Sequence, residues 1–152
     1  MPLAVLVPLV IALAACGGDR HMPEQRIRAL LTQAVEAVED GSVEGVAQFV
    51  HAGYHDRRHR SKDAAMRTLF GYVGRHRNIH LFQLIKDIEL APAGESASAV
   101  VYLAMTGVRV DSVQALIALK ADLYRFDLEL VASDGEWLIS GADWRRADLT
   151  AL

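Results

Sequence analysis

The sequence predicts an α+β domain in which three N-terminal helices precede a mostly antiparallel sheet of about four strands. Three observations carry this reading. Apolar residues recur at helical spacing from Ile27 to Val73, and the period shortens to two from Ile79 onward. An Asp-Gly pair at Asp134 and Gly135 then stands between two alternating runs, the strongest short-range signal for a hairpin.

Taken in order, Pro23 stands where a helix can begin, and Glu24 in the first turn complements the helix dipole. Ile27, Leu30, Leu31, Ala34, Val35 and Val38 form one helical face, which Asp40-Gly41 brings to an end. Ser42 can cap a second, shorter helix carrying Val43, Val46, Phe49 and Val50 and ending near Ala52-Gly53. A polar loop follows at 54–60. Ser61 can cap a third helix with Ala65, Met66, Leu69, Phe70 and Val73 on its apolar face, ended by Gly74. Residues 79–90 and 98–106 are rich in β-branched and aromatic side chains, and the turn Ala91-Pro92-Ala93-Gly94 makes them an antiparallel pair. Residues 111–119 are ambiguous and fit one or two helical turns better than a strand. In 122–131, Tyr124, Phe126, Leu128 and Leu130 alternate with Arg125, Asp127 and Glu129, so one face is expected buried and the other wet. Residues 136–146 return as the last strand, with Trp137, Trp144 and a bulge expected at Gly141.

The chain has 152 residues, of which 52% are hydrophobic and 23% charged, which excludes a disordered chain and suits one domain of ordinary size. A net charge of -3 supplies no global pull toward phosphate, so nucleic acid is not an expected partner. The single cysteine excludes an intrachain disulfide and a four-cysteine metal site. Residues 1–15 read MPLAVLVPLVIALAA, an uncharged apolar run of signal-peptide length and too short to span a membrane. It ends in Leu13-Ala14-Ala15-Cys16, followed by Gly17, Gly18 and Asp19, which resembles the lipobox of bacterial lipoproteins. That resemblance implies cleavage before Cys16, lipid on its sulfur, and attachment to a membrane of the cell envelope with the domain facing the periplasm. Gly17 stands where some lipoproteins carry an inner-membrane retention Asp, which favours the outer membrane. The run departs from the usual pattern in carrying no Lys or Arg near its start. Residues 16–22 are then a tether and 23–152 the domain.

Three helices followed by strands that end in Gly135-Glu136-Trp137-Leu138-Ile139 and Trp144 resemble the nuclear transport factor 2-like superfamily, the cystatin-like α+β roll. The Asp40-Gly41 helix end, the Tyr54-His55-Asp56 loop and the Asp-Gly hairpin carry most of the likeness, which covers Pro23 to about Ala147. The resemblance implies a curved sheet wrapped round the long first helix as a cone, often with an apolar cavity, and a possible homodimer through the sheet. Steroid isomerases, dehydratases, polyketide cyclases, transport factors and plain lipoprotein domains share the scaffold, so function rests on the residues.

Those residues favour no single chemistry. His51, His55 and His59 are spaced by four, as are His76 and His80, but Gly53 makes 54–60 loop rather than helix, so no metal site and no cofactor are expected. No GxSxG or phosphate-cradling glycine loop is present. Asp56, Asp127, Asp143 and His80 are candidates for acid–base work near strand or loop ends, with Asp127 expected to pair across strands with Arg145 or Arg146. The stretch from His55 to Arg77 carries Arg57, Arg58, Arg60, Lys62, Arg67, Arg75 and Arg77 against Asp56 and Asp63. It reads as a solvated face or as a contact for anionic headgroups, envelope polymer or an acidic partner. Tyr102, Tyr124, Phe126 and Trp144 are the candidate ligand-binding residues, as walls of a cavity or as plain core. The expected role is non-enzymatic binding of a small apolar ligand or an envelope protein. The alternative is an isomerase or dehydratase-like enzyme with a cavity carboxylate.

Overall fold

In a computed structural model, which describes residues 21–152, helices α1 (His21–Glu39), α2 (Val43–Ala47) and α3 (Lys62–Val73) precede strands β1 (His80–Leu90) and β2 (Ser96–Thr106). Helix α4 (Val113–Leu119), strands β3 (Leu123–Ser133) and β4 (Glu136–Ala147) and a 3-10 turn at Leu149–Ala151 complete the chain. The strands pair in sequence order, β1-β2-β3-β4, and every pair is antiparallel. The α+β class expected from the two periods is therefore the class observed. The signal peptide expected over 1–15 and the expected lipid acceptor Cys16 lie outside the described residues. No helix among the described residues is long and apolar enough to cross a membrane.

Local chemistry sets the ends of the elements. Ser42, Ser61 and Ser112 each accept a hydrogen bond from the backbone N–H three residues on, at 3.0, 3.3 and 3.3 Å, which satisfies a donor that the first helical turn leaves open. Ser112 thereby settles the ambiguous 111–119 segment as helix. Pro23 sits in the first turn of α1, where its missing N–H costs nothing, so His21 and Met22 are helical rather than part of the tether expected over 16–22. In the β3-β4 hairpin Asp134 and Gly135 both take positive φ, 51° and 81°, as a tight turn matched to strand twist requires.

Alternation divides the sheet into an inner face covered by α1 and an outer face covered at one end. The inner face takes α1, where Ile27, Leu30 and Leu31 pack on Ala99, Val101, Leu128, Leu130 and Trp137. Register shifts in β1 between Ile85 and Asp87, and in β4 opposite Glu129 and Leu130, bend both edge strands round the helix. The second shift lies beside Gly141, where a bulge was expected. A Cβ there would stand 3.3 Å from the His55 carbonyl oxygen, so glycine allows the chain after α2 to close on the edge of β4. That edge is then paired. His51 N–H donates to the Ile139 carbonyl at 2.9 Å, and Ile139 N–H donates to that of Phe49 at 2.8 Å.

The outer face differs from expectation. It is wet from the middle, where Asp127 accepts hydrogen bonds from Arg125 at 2.6 Å and Arg145 at 2.7 Å, to the hairpin end, where Ser98 and Glu129 are exposed. At one end α4 covers it, burying Leu116 against Phe82, Tyr102, Ala104 and Leu123. Strict alternation on β3 pointed to a solvated second face, and an amphipathic helix brought from the β2-β3 connection overrides it.

Leu30→Asp places an unpaired carboxylate in the α1 contact and costs about 3 to 5 kcal/mol. Gln33→Asp, on the exposed side of the same helix, stays within about 0.5 kcal/mol. Denaturant unfolding of the two variants checks the assignment; equal losses would mean that the wrong face of α1 had been identified.

Candidate functional site

The contact between α1 and the sheet is closed only over the first half of the helix. Beyond Leu31 the inward side chains are Ala34, Val35 and Val38, and between them and Val101, Leu103, Phe126 and Leu128 lies a cavity of about 210 Å³. Val46, Val50, Tyr54, Ala65 and Met66 wall it on the helical side. Tyr54 and Gln83 are the only polar side chains in the lining, and both are engaged elsewhere. The Tyr54 hydroxyl donates to Asp56 at 2.6 Å and the Gln83 amide donates to the Leu31 carbonyl at 3.1 Å. Among the described residues no carboxylate or imidazole lines the space. An apolar cavity of about 150 Å³ holds benzene, and drug-sized pockets start near 300 Å³, so this space suits roughly eight to ten non-hydrogen atoms.

Behind Tyr54 a polar network holds the wall. The Asp56 carboxylate is fully enclosed, with no side-chain exposure. It accepts from the backbone N–H groups of Arg58 and His59 at 2.6 and 2.7 Å, from Tyr54, and from His59 Nδ1 at 2.9 Å. Burial alone would push this carboxyl up, but the bonds from Tyr54, His59 and the two amides outweigh it and hold it at about 2. Burial, then the bond to Asp56 and its charge, push the Tyr54 phenol up. His59 Nε2 lies 2.9 Å from the Thr68 hydroxyl on α3, which ties the loop to that helix. Asp56 and Thr68 thus engage both ring nitrogens of His59, and neither is left for the cavity.

The same loop straddles the edge strand. Arg57 reaches the outer face and pairs with Asp143 at 3.3 Å, while Arg58 and His59 lie against Trp144 on the inner face. Two residues beyond the lining, three strands present a further side chain on the inner face: Met105 after Leu103 and Tyr124 before Phe126, both exposed, and the half-buried Trp144 after Ala142. These form the mouth. Trp144 stacks on Phe126 with centroids 5.8 Å apart, and on His59 at 6.1 Å. Across from them the Tyr72 hydroxyl of α3 meets the Met105 sulfur.

No sequence family and no curated protein matches the chain. Solved structures do. A protein of unknown function from Silicibacter pomeroyi, described as nuclear transport factor 2-like, is similar over 84% of this chain and 98% of its own, with TM-score 0.61 and 14% identity. A domain of unknown function with a cystatin-like fold from Nostoc punctiforme aligns over 84% of this chain and 78% of its own, with TM-score 0.63 and 16% identity. This chain has the nuclear transport factor 2-like fold. A provisionally assigned scytalone dehydratase from Novosphingobium aromaticivorans shares it, over 84% of this chain and 86% of its own, with TM-score 0.65 and 14% identity.

Within this fold the four candidate aromatics are divided. Phe126 lines the cavity, and Trp144 and Tyr124 stand at its mouth. Tyr102 does not join them, because its place on β2 turns it to the outer face beneath α4. The acid–base candidates are dispersed as well. Asp127 is held by Arg125 and Arg145, and the bond from Arg125 above all keeps its carboxyl below the usual range. Asp143 pairs with Arg57, and His80 Nδ1 lies 3.9 Å from Glu39, buried without a hydrogen-bond partner. Only Asp56 stands beside the cavity, one side chain removed. Among the described residues no three His, Cys, Asp or Glu side chains converge as a metal site. A hollow of about 690 Å³ at the hairpin end, with His51, Glu89 and Glu129 along it, is broader but opens to solvent. The sequence carried one neglected signal, the pairing of Tyr54 and Asp56 two residues apart ahead of His59.

Asp56→Ala leaves the Tyr54 hydroxyl and two amides without their acceptor and costs about 1 to 3 kcal/mol. Because the folded carboxyl titrates near 2 against 3.8 ordinarily, its contribution is full above about pH 4 and disappears as pH falls through about 2. Unfolding of wild type and variant from pH 7 downward shows a gap that narrows over that window; a gap independent of pH would mean that the carboxylate charge holds nothing.

Proposed function

We propose that this chain is a lipid-anchored envelope protein whose nuclear transport factor 2-like domain binds a small apolar ligand without turning it over. The carrying observation is the cavity beneath Ala34, Val35 and Val38, enclosed by apolar side chains with its two polar groups already hydrogen-bonded. Such a space favours an uncharged apolar body, since burying a polar group there without a partner costs a few kcal/mol. The anchoring part of the reading rests on Leu13-Ala14-Ala15-Cys16 and the apolar run before it, and it places the domain in the periplasm, at the outer membrane by the Gly17 argument.

The enzyme alternative has one observation in its favour, the Asp56–His59 pair. Its geometry supports a structural role. The carboxylate is enclosed and saturated by four donors, its partner's second nitrogen is turned to Thr68, and Tyr54 stands between the pair and the cavity. A base must reach the proton it removes, and this one faces its own loop.

Ala142→Leu extends a side chain into the cavity. Filling an empty space leaves stability unchanged or raises it by about 0.5 to 2 kcal/mol, whereas overpacking a filled core costs about 1 to 3. Phe126→Ala, at a ring bordering open space, costs less than the roughly 3 to 5 kcal/mol of a close-packed phenylalanine. In parallel, an environment-sensitive apolar dye saturates wild type and not Ala142→Leu. Destabilisation by leucine together with no dye binding to wild type would sink the cavity reading.

Cys16→Ser replaces the thiolate acceptor by a hydroxyl and abolishes fatty-acid labelling and membrane retention. Retained label on the serine variant would refute the anchor.

A further inference from the structure

Among the described residues the cavity lining has no group that could neutralise a charge, so the polar end of any amphipathic ligand must remain at the mouth, and the mouth is not electrically neutral. The Arg58 guanidinium lies 4.6 Å over the Trp144 ring, and Trp144 in turn stacks on Phe126, which lines the cavity. Most neighbouring cations are engaged, and Lys62, beside the lining residue Val50, donates to its carbonyl at 2.8 Å. Arg57 pairs with Asp143, Arg146 with Asp122, and Arg125 and Arg145 with Asp127. Among the described residues Arg58 has no carboxylate within ion-pair distance, and its position over the indole holds its planar fork at the edge of the apolar space. Asp56, two residues away, offers no competing partner, because its oxygens are enclosed and occupied by Tyr54, His59 and two amides.

We propose that the site takes small monocarboxylates, with an apolar body of about nine carbons in the cavity and the carboxylate held at the mouth by Arg58. This rests on the cavity reading above and adds the sign of the ligand's charge. A neutral ligand of the same shape gains the apolar contacts and at most a hydrogen bond from the guanidinium, without the ion pair or the bidentate fit of a carboxylate. A cationic one meets Arg58 as a like charge.

The test uses 4-phenylbutyrate, its neutral amide and 4-phenylbutylamine, titrated calorimetrically into the acylated full chain in nanodiscs of zwitterionic lipid. The expected order is carboxylate over amide by about tenfold, with the amine weakest, and the carboxylate advantage shrinking at high salt. Arg58→Gln brings carboxylate and amide to equal affinity, while Arg67→Gln, exposed on α3, leaves the preference intact. Equal binding of carboxylate and amide by wild type would overturn the proposal and leave the cavity reading standing. A preference that survives in Arg58→Gln would overturn the assignment to Arg58. Binding of none of the three would overturn both readings.

Discussion

Everything in this domain is arranged around the contact between one face of α1 and the inner face of the sheet. Ile27, Leu30 and Leu31 are large enough to reach the strands and are almost wholly excluded from water, so the first half of the helix is fixed. Ala34 and the valines that follow are smaller and leave space between themselves and Val101, Leu103, Phe126 and Leu128. A single apolar stripe thus becomes close-packed core at one end and cavity roof at the other. The cavity opens where the side chains between helix and sheet become smaller.

The loop after α2 turns that geometry into a site. It closes the edge of β4, made possible by Gly141, and the enclosed Asp56 folds it back on itself through two backbone amides and two side chains. A buried carboxylate with this many donors is well placed as an organiser and poorly placed as a base. The consequence reaches the cavity through Tyr54, whose ring forms wall while its hydroxyl is held by Asp56. It reaches the mouth through Arg58 and His59, which the same turn delivers onto Trp144.

The fold alone leaves chemistry open, since the same roll hosts catalysts and binding modules. What separates the readings here is the direction in which groups point. An acid and a histidine are present near the cavity, yet hydrogen bonds turn both toward the loop and α3. The described residues that face the open end are Met105, Tyr124 and Trp144, with the Arg58 guanidinium over the indole.

The sequence by itself determined the α+β class, the three N-terminal helices, the β3-β4 hairpin and the bulge near Gly141, because periodicity, serine caps and Asp-Gly chemistry are local. It also contained the Asp127 pairing with Arg145, since facing positions on neighbouring strands follow from alternation. Tertiary structure alone decided that α4 would cover the outer face, which removed Tyr102 from the aromatic group that β-strand parity left undivided. It alone decided that Ala34, Val35 and Val38 would face empty space while Ile27 and Leu30 face packed strands, although all lie on one stripe. Spacing along a chain reports which side of an element a residue occupies. How far away the opposing surface lies is set by sheet curvature and edge bulges, and that distance is what separates a core from a cavity.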